Sequence, residues 1–379
     1  MAGARVTTGS RLGVRIREVP VPADLDAPDA WLLRGQVDTV NEVEIALRGN
    51  RDMCRNPHET LGSMREQRYT TKIRLVAVDE DRPGDAADPA RVLGHAALHL
   101  PRQDNTHTGE VDLGVRPAAR RRGIGSALHD AALEVARVHG RTMLTTTTQQ
   151  TSEPTDGPLA LAPSTGSGRL HRDDPGVRFA LTRGWSLEQV SRYSVLDVPL
   201  PADVLAAHRA AAQAVAGPDV RVVLWESRCP DEWVDQFALL QTRMSTDVPH
   251  GGIARHADVW DAARVRTIEQ QFLDQGLGYL VAAAEHVPTR TLVAFTALAA
   301  TPVTDEFVFQ NDTLVMREHR GRRLGMLVKT ANLQRLAAER PAVQRVGTWN
   351  AEENAHMLAI NVALGFRPAG GTGEWQRDL

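Results

Sequence analysis

Cysteine is nearly absent. The 379 residues hold only Cys54 and Cys229, far apart and outside any CxxC spacing, so a disulfide framework and a Cys-rich zinc site are both unsupported. Long apolar runs are missing too. Nothing approaches the ~20 residues that span a bilayer. Met1 to Arg11 has no apolar h-region, so no secretory signal is expected. Aromatics make up 4%, which leaves few stacking platforms for single-stranded nucleic acid. The formal net charge is −3, so no global basic field advertises nucleic acid or a membrane. Only Lys72 and Lys329 among 44 basic residues are lysine, and no function follows from that skew. What remains is 42% hydrophobic and 24% charged, an ordinary globular composition. At ~150 residues per domain, the length suggests two domains. The expectation is a cytoplasmic monomer or homodimer without nucleic-acid or membrane partners.

The chain repeats itself. Arg120-Arg121-Arg122-Gly123-Ile124-Gly125 is answered 200 residues later by Arg320-Gly321-Arg322-Arg323-Leu324-Gly325. Before each copy, Val111 to Val115 and Val308 to Val315 read as strands. After each, Ile124, Ala127, Leu128, Ala131, Val135 and Val138, or Leu324, Leu327, Val328 and Ala331, form one helical stripe. Each half opens with a β-branched run, Val14 to Ile16 or Val220 to Leu224. A Trp-bearing helix start follows, at Pro28 to Trp31 or Pro230 to Trp233. Two strand-like runs then precede the turn: Ile73 to Val78 with Val92 to Leu100, and Tyr279 to Ala284 with Thr291 to Ala299. One strand comes after it, Thr142 to Thr147 or Val346 to Trp349. The expected organisation is a first domain over 1–198, a linker over 199–218 and a second domain over 219–379. Residues Thr151 to Gly176, rich in Ser, Thr, Gly, Pro and Asp, read as a long mobile loop.

A strand that runs through a glycine turn into a helix start makes an anion site. Free N–H groups and the positive dipole end meet there. Arginines add fork-shaped donors, so the expected ligand is a phosphate or diphosphate. A P-loop needs a Lys-Ser/Thr pair that neither turn has. A dinucleotide fingerprint needs a third glycine, where the first turn has Leu128. The pattern (Gln/Arg)-x-x-Gly-x-(Gly/Ala) is met by Arg120-x-x-Gly123-x-Gly125. The bland alternative for either arginine cluster is a solvated basic patch.

With these motifs the sequence resembles a tandem GNAT (GCN5-related N-acetyltransferase) protein, the two-domain arrangement of mycothiol synthase. The resemblance covers nearly the whole chain. It implies two α/β domains, each a twisted mixed β-sheet flanked by helices, and acetyl-CoA as co-substrate. It also implies that both six-residue loops, Arg120 to Gly125 and Arg320 to Gly325, hold the cofactor diphosphate, and that Val115 and Val315 contribute backbone hydrogen bonds near the thioester. The family's Asn-x-x-Ala-x-x-x-Tyr-x-x-x-Gly-Phe segment is echoed from Asn354 to Gly365-Phe366. There are departures. Arg323 replaces the first loop glycine. Asn361 stands where many relatives have a tyrosine that protonates the leaving thiolate. In the first half Asp173, Ala180 and Gly184-Trp185 occupy the Asn, Tyr and Gly-Phe positions.

The implied activity is acetyl transfer to a primary amine of a small molecule. It needs proximity, a polarised carbonyl and a base. Glu306, Gln310 and Asp312 alternate on one face of the presumed strand, so Glu306 and Asp312 are base candidates, with Glu110 their counterpart. Asn354 and Asn361 complete the candidate catalytic set, and the chemistry is expected in the second domain. Each has a plain alternative: Glu306, Asp312 and Glu110 as a solvated strand face, Asn354 as a helix cap. His319 and His356 read as surface residues, Met357 and Leu364 as core, Lys329 as solvated. Two other functions stay open: an acetyl-CoA-binding module without catalysis, and a GNAT using another acyl donor or a hydroxyl acceptor.

Overall fold

The computed structural model describes residues 13–379. The expectation for Met1 to Arg11 lies outside the described residues. In chain order the strands and helices are β1 (Val14–Glu18), α1 (Ala30–Arg48), α2 (Pro57–Arg65), β2 (Thr70–Asp79), β3 (Val92–Pro101), β4 (Thr108–Val115), α3 (Ile124–Val138), β5 (Met143–Gln150), β6 (Ala160–Leu161), β7 (Leu170–His171), α4 (Pro175–Thr182) and β8 (Ser186–Asp197). There follow α5 (Ala202–Ala216), β9 (Val220–Glu226), α6 (Val234–Asp247), α7 (Ala262–Asp274), β10 (Tyr279–His286), β11 (Thr291–Ala300), β12 (Phe307–Val315), α8 (Leu324–Glu339), β13 (Arg345–Ala351), α9 (Ala355–Leu364) and β14 (Arg367–Asp378). The strands and helices read from the sequence repeat are all present.

Two compact units form. The first takes the described part of Met1–Thr148 with Phe179–Ser186 and Glu374–Leu379, and the second takes Gln149–Arg178 and Leu187–Gly373. The expected division at 198/199 follows the sequence repeat, whereas the compact units cut elsewhere. β8, the last strand of the first repeat, pairs antiparallel with β13, from Ser191 opposite Ala351 to Asp197 opposite Arg345. A repeat marks where a pattern recurs, but a strand joins whichever edge satisfies its backbone groups. The expected linker holds a packed helix instead. In α5, Leu205, Ala212 and Ala216 are buried, and Arg209 donates to Gln334 at 2.6 Å. The expected mobile loop carries the β6–β7 hairpin. Buried Gln150 pins it by donating to Arg169 O at 2.7 Å and accepting from His171 N at 3.0 Å.

Within the first unit the strand order is β1-β2-β3-β4-β5, and within the second β9-β10-β11-β12-β13-β8. All pairs are antiparallel except β4–β5 and β12–β13. Those parallel pairs are short. β4 and β5 pair only over 108–110 and 143–145, and β12 and β13 only over 307–309 and 345–347. Beyond that the strands part, and each unit acquires a V-shaped opening. A threonine hydroxyl ties each crotch: Thr146 to Val111 O at 2.7 Å, and Thr348 to Gln310 O at 3.3 Å.

Helices cover both faces. In the first unit Leu32, Leu33 and Val37 of α1 and Leu61 and Met64 of α2 pack over Val76 and Val78. On the opposite face α3 buries Ile124, Leu128, Ala131 and Val135, while Val138, expected on that stripe, is 63% exposed at the helix end. In the second unit α6 and α7 cover an aromatic core. Phe237 meets Trp225 and Phe295 edge-on at 5.3 and 5.2 Å. Each such buried ring removes enough apolar surface to contribute ~2–3 kcal/mol.

Candidate functional site

The two Arg/Gly turns share one backbone. Arg120 and Arg320 both have φ −66° and ψ 162°. Left-handed φ then falls on the next residue and on the one two further: Arg121 at 64° and Gly123 at 81°, Gly321 at 80° and Arg323 at 53°. Each turn therefore fills its two left-handed positions with one glycine and one arginine, in opposite order. An arginine there costs about 1 kcal/mol. So Arg323 does not remove the turn that a glycine would have supplied. In both turns the leading arginine folds back onto the strand end, Arg120 Nε to Val115 O at 3.1 Å and Arg320 Nε to Val315 O at 3.3 Å.

Neither helix start is capped by a side chain. The first intrahelical bonds are Ala127 N to Gly123 O and Leu327 N to Arg323 O, so the three N–H groups before each aim outward. Gly125 and Gly325 lie close to Val115 and Val315; a Cβ on either would sit 3.7 Å from the valine Cγ2. Thus Val115 to Gly125 and Val315 to Gly325 are each one continuous cradle.

The cradles differ in what their arginines already hold. Arg120, Arg121 and Arg122 are exposed, and Arg121 and Arg122 bond to no side chain or carbonyl. Around the second turn, Arg320 also donates to Asp247 O at 3.0 Å, and Arg322 to Ala216 O at 2.5 Å. Arg317 contacts Thr246 O and the Asp247 carboxylate at 3.1 and 3.3 Å. The ends of α6 and α5 therefore hold Arg320 and Arg322.

Sequence-predicted catalytic residues separate in space. Glu306 lies just before β12, exposed, and its carboxylate faces Arg345 at 3.4 Å. Strict alternation with Asp312 fails because β12 bulges. Thr296 and Leu298 of β11 oppose Thr313 and Gln310, so three steps on β12 face two on β11. The bulge exposes Asn311 and Asp312 together, at the level of the V. Asp312 is open to solvent on one side and crowded by protein on the others, and this burial raises its carboxyl above the usual range. The nearby Tyr279 hydroxyl accepts from Asn311 at 3.2 Å, and burial and the Asp312 charge raise it. Glu110 is exposed on β4, opposite His99. Asn354 is the N-cap of α9, accepting from Met357 N at 3.2 Å.

Asn361 is 2% exposed and belongs to a buried network. Its amide donates to Asn350 Oδ1 at 2.6 Å and accepts from Lys329 Nζ at 2.8 Å. Lys329, expected in solvent, is 1% exposed and sits 5.6 Å from the Phe366 ring. Burial pushes its ammonium down to about 7. Helical spacing alone could not place it, since position 329 flanks an apolar stripe that only α9 turns into an interior.

Sequence reasoning also missed a charged group in the first unit: Arg74 on β2, His95 and His99 on β3, and Asp112 on β4. Burial holds both imidazoles neutral, His99 down to about 4, and lowers Arg74 to about 10. The signal was present as an arginine inside the apolar run Ile73 to Val78 and two histidines four residues apart, hence on one face, in β3. Among the described residues, no group of His, Cys, Asp and Glu could hold a metal ion, and no helix is long and apolar enough to cross a membrane.

Known proteins share this fold. Residues 51–155 match the acetyltransferase (GNAT) family model. A tandem GNAT protein from the clavulanic acid biosynthesis pathway, solved without acetyl-CoA, is 27% identical, with TM-score 0.70, over 96% of this chain and 98% of that one. A GCN5-related N-acetyltransferase from Sphaerobacter thermophilus (13% identity, TM-score 0.56, 97% and 96% coverage) shares the fold. So does the N-myristoyltransferase of Saccharomyces cerevisiae, solved with myristoyl-CoA and inhibitors (10%, 0.58, 97% and 81%). No protein of curated function matches the sequence significantly. With its duplicated turn and its repeated V, this chain carries a GNAT-family acetyltransferase domain over residues 51–155 and is similar along nearly its whole length to a tandem GNAT protein.

Proposed function

We infer that the chain moves an acetyl group from acetyl-CoA to a primary amine of a small molecule, with the chemistry in the second unit. The observation that carries this is the β12 bulge, which presents Asp312 beside Tyr279 where β12 and β13 part. A carboxylate with a raised pKa is matched to accept an ammonium proton near neutrality. The amine then attacks the thioester carbonyl, which backbone N–H groups near Val315 polarise. The C–S bond breaks, and the thiolate takes a proton. Asn361 has none to give, so we assign that step to Lys329, bonded to it; the lysine regains its proton from water. Arg120 to Gly125 and Arg320 to Gly325 hold diphosphates, the first more readily because Arg121 and Arg122 are free, whereas Arg320 and Arg322 are held by the carbonyls of Asp247 and Ala216.

Free-thiol release from acetyl-CoA with a panel of small amines tests this. Asp312→Asn is expected to lower kcat by ~100-fold or more, while Glu306→Gln and Glu110→Gln change it less than about threefold. Tight acetyl-CoA binding without thiol release on any amine would leave a binding module. Release with alcohols, or only with a longer acyl donor, would replace the amine or the acetyl group in this reading.

A further inference from the structure

Beneath α1 and α2, the first unit's sheet carries charge that no ion pair explains. Cross-strand register sets three rows on this face: Lys72–His99–Glu110, Arg74–Ala97–Asp112 and Val76–His95–Gly114. Arg74 is 5% exposed, yet its guanidinium makes no hydrogen bond or salt bridge, and its Nε is sealed without a partner. His95 is 3% exposed and equally unbonded, with Nδ1 sealed. Its ring lies across β4, where a Cβ at Gly114 would fall 2.6 Å from His95 Nε2. Asp112 stands exposed two strands from Arg74, with only the Ala97 methyl between them. At the usual strand spacing their backbones are ~10 Å apart, and no salt bridge closes the gap. Arg55, Glu59 and Lys72 add charge around Arg74 and the histidines.

Burying an unpaired guanidinium costs several kcal/mol. The fold does not demand it. The matching register positions in the second unit are Val281, Phe295 and Ala297, all in its apolar core. An arginine kept there with unused donors needs an anion from outside the chain. A carboxylate suits one planar fork better than a dianionic phosphate, which Asp112 and Glu110 on the open side would repel. Asp112 in turn wants a cation about one small molecule away.

The geometry points to a ligand site in the first unit for a small amino-carboxylate. Its carboxylate lies on Arg74, its ammonium on Asp112 and its body over Ala97, with His95 and His99 as neutral hydrogen-bond partners. This goes beyond the acyl transfer assigned to the second unit and does not depend on it.

Calorimetric titration of the full chain with the common L-α-amino acids tests it, followed by the carboxamide and the N-acetyl form of the best binder. At least one amino acid should bind saturably. Its amide should bind at least about tenfold more weakly, since it loses the charge-assisted pairing with the guanidinium. Arg74→Val should abolish binding and leave Tm equal or higher, because valine is what the second unit uses there. Arg74→Lys keeps the charge, loses the fork and should weaken binding without abolishing it. Asp112→Asn should weaken the amino acid more than its N-acetyl form. The site is overturned if no amino acid binds, if acid and amide bind alike, if Arg74→Lys and Arg74→Val both bind like the parent chain, or if inorganic phosphate alone binds through Arg74. Asp312→Asn, which should stop acetyl transfer, should leave this binding intact, so the two readings fail separately.

Discussion

Where α3 of the first unit places His129, α8 of the second places Lys329, 200 residues on. The partners change with it. His129 Nε2 accepts from Trp185 Nε1 at 3.2 Å, beside buried Ala180. Lys329 donates to Asn361 and faces Phe366. The first set is an imidazole and indole packed and satisfied. The second is a buried cation with only amide partners. On the sheet's other face the contrast reverses: Arg74 and His95 are unsatisfied in the first unit, where Val281 and Phe295 close a dry core in the second. Each unit thus keeps one polar weak point where its counterpart is packed. Such polar groups lower stability unless a ligand or a reaction uses them. The proposed unequal use of the two units rests on that difference.

The cradles offer the largest test of the contrast. Replacing Arg120, Arg121 and Arg122 together by alanine should weaken acetyl-CoA binding by ~100-fold in calorimetry, since these are charge-assisted contacts. The matching change at Arg320, Arg322 and Arg323 should cost only about tenfold, because Arg320 and Arg322 are already held by carbonyls. Equal losses would erase the distinction between the turns.

Lys329 gives the next effect. Burial lowers its pKa to about 7, from an ordinary lysine value of 10.5. Between those values the unfolded chain binds the extra proton, so stability rises with pH, by up to ~1.4 kcal/mol per pH unit. Urea unfolding at pH 7 and pH 9 should show the parent chain gaining ~2 kcal/mol more than Lys329→Met does. A shared slope would mean that Lys329 is not held below its ordinary range. The smallest effect lies in the turn backbone. Gly321→Ala should cost about 1 kcal/mol although no atom lies within 4 Å of the added Cβ. Arg121→Gly and Arg323→Gly should each shift Tm by less than about 3 °C and by the same amount. Unequal shifts would break the claim that the turns share one conformation.

Much of this was legible in the sequence. Apolar periodicity located the strands, α3 and α8, and the Arg/Gly echo located both cradles. Asn354 to Phe366 was recognisable by spacing, although Asn354 turned out to cap α9. The bulge was not legible, because one extra residue in a strand leaves no mark in its composition. Without it Glu306 and Asp312 looked equivalent; with it only Asp312 reaches the opening. Lys329 and Arg74 were misread or passed over for a related reason. A charged residue beside an apolar stripe is usually in water, and only the neighbouring helix or strand decides otherwise.

Local rules are enough for what depends on neighbours in the chain. Glycine and arginine in the turns, helix stripes and strand runs are read at short range, so the sequence alone determined a duplicated α/β architecture with two Arg/Gly turns, each leading from a strand into a helix. Pairing is a long-range choice among edges of similar chemistry. Only the tertiary structure decided that β8 completes the second unit's sheet, that the ends of α6 and α5 hold Arg320 and Arg322, and that Arg74 is buried with donors to spare.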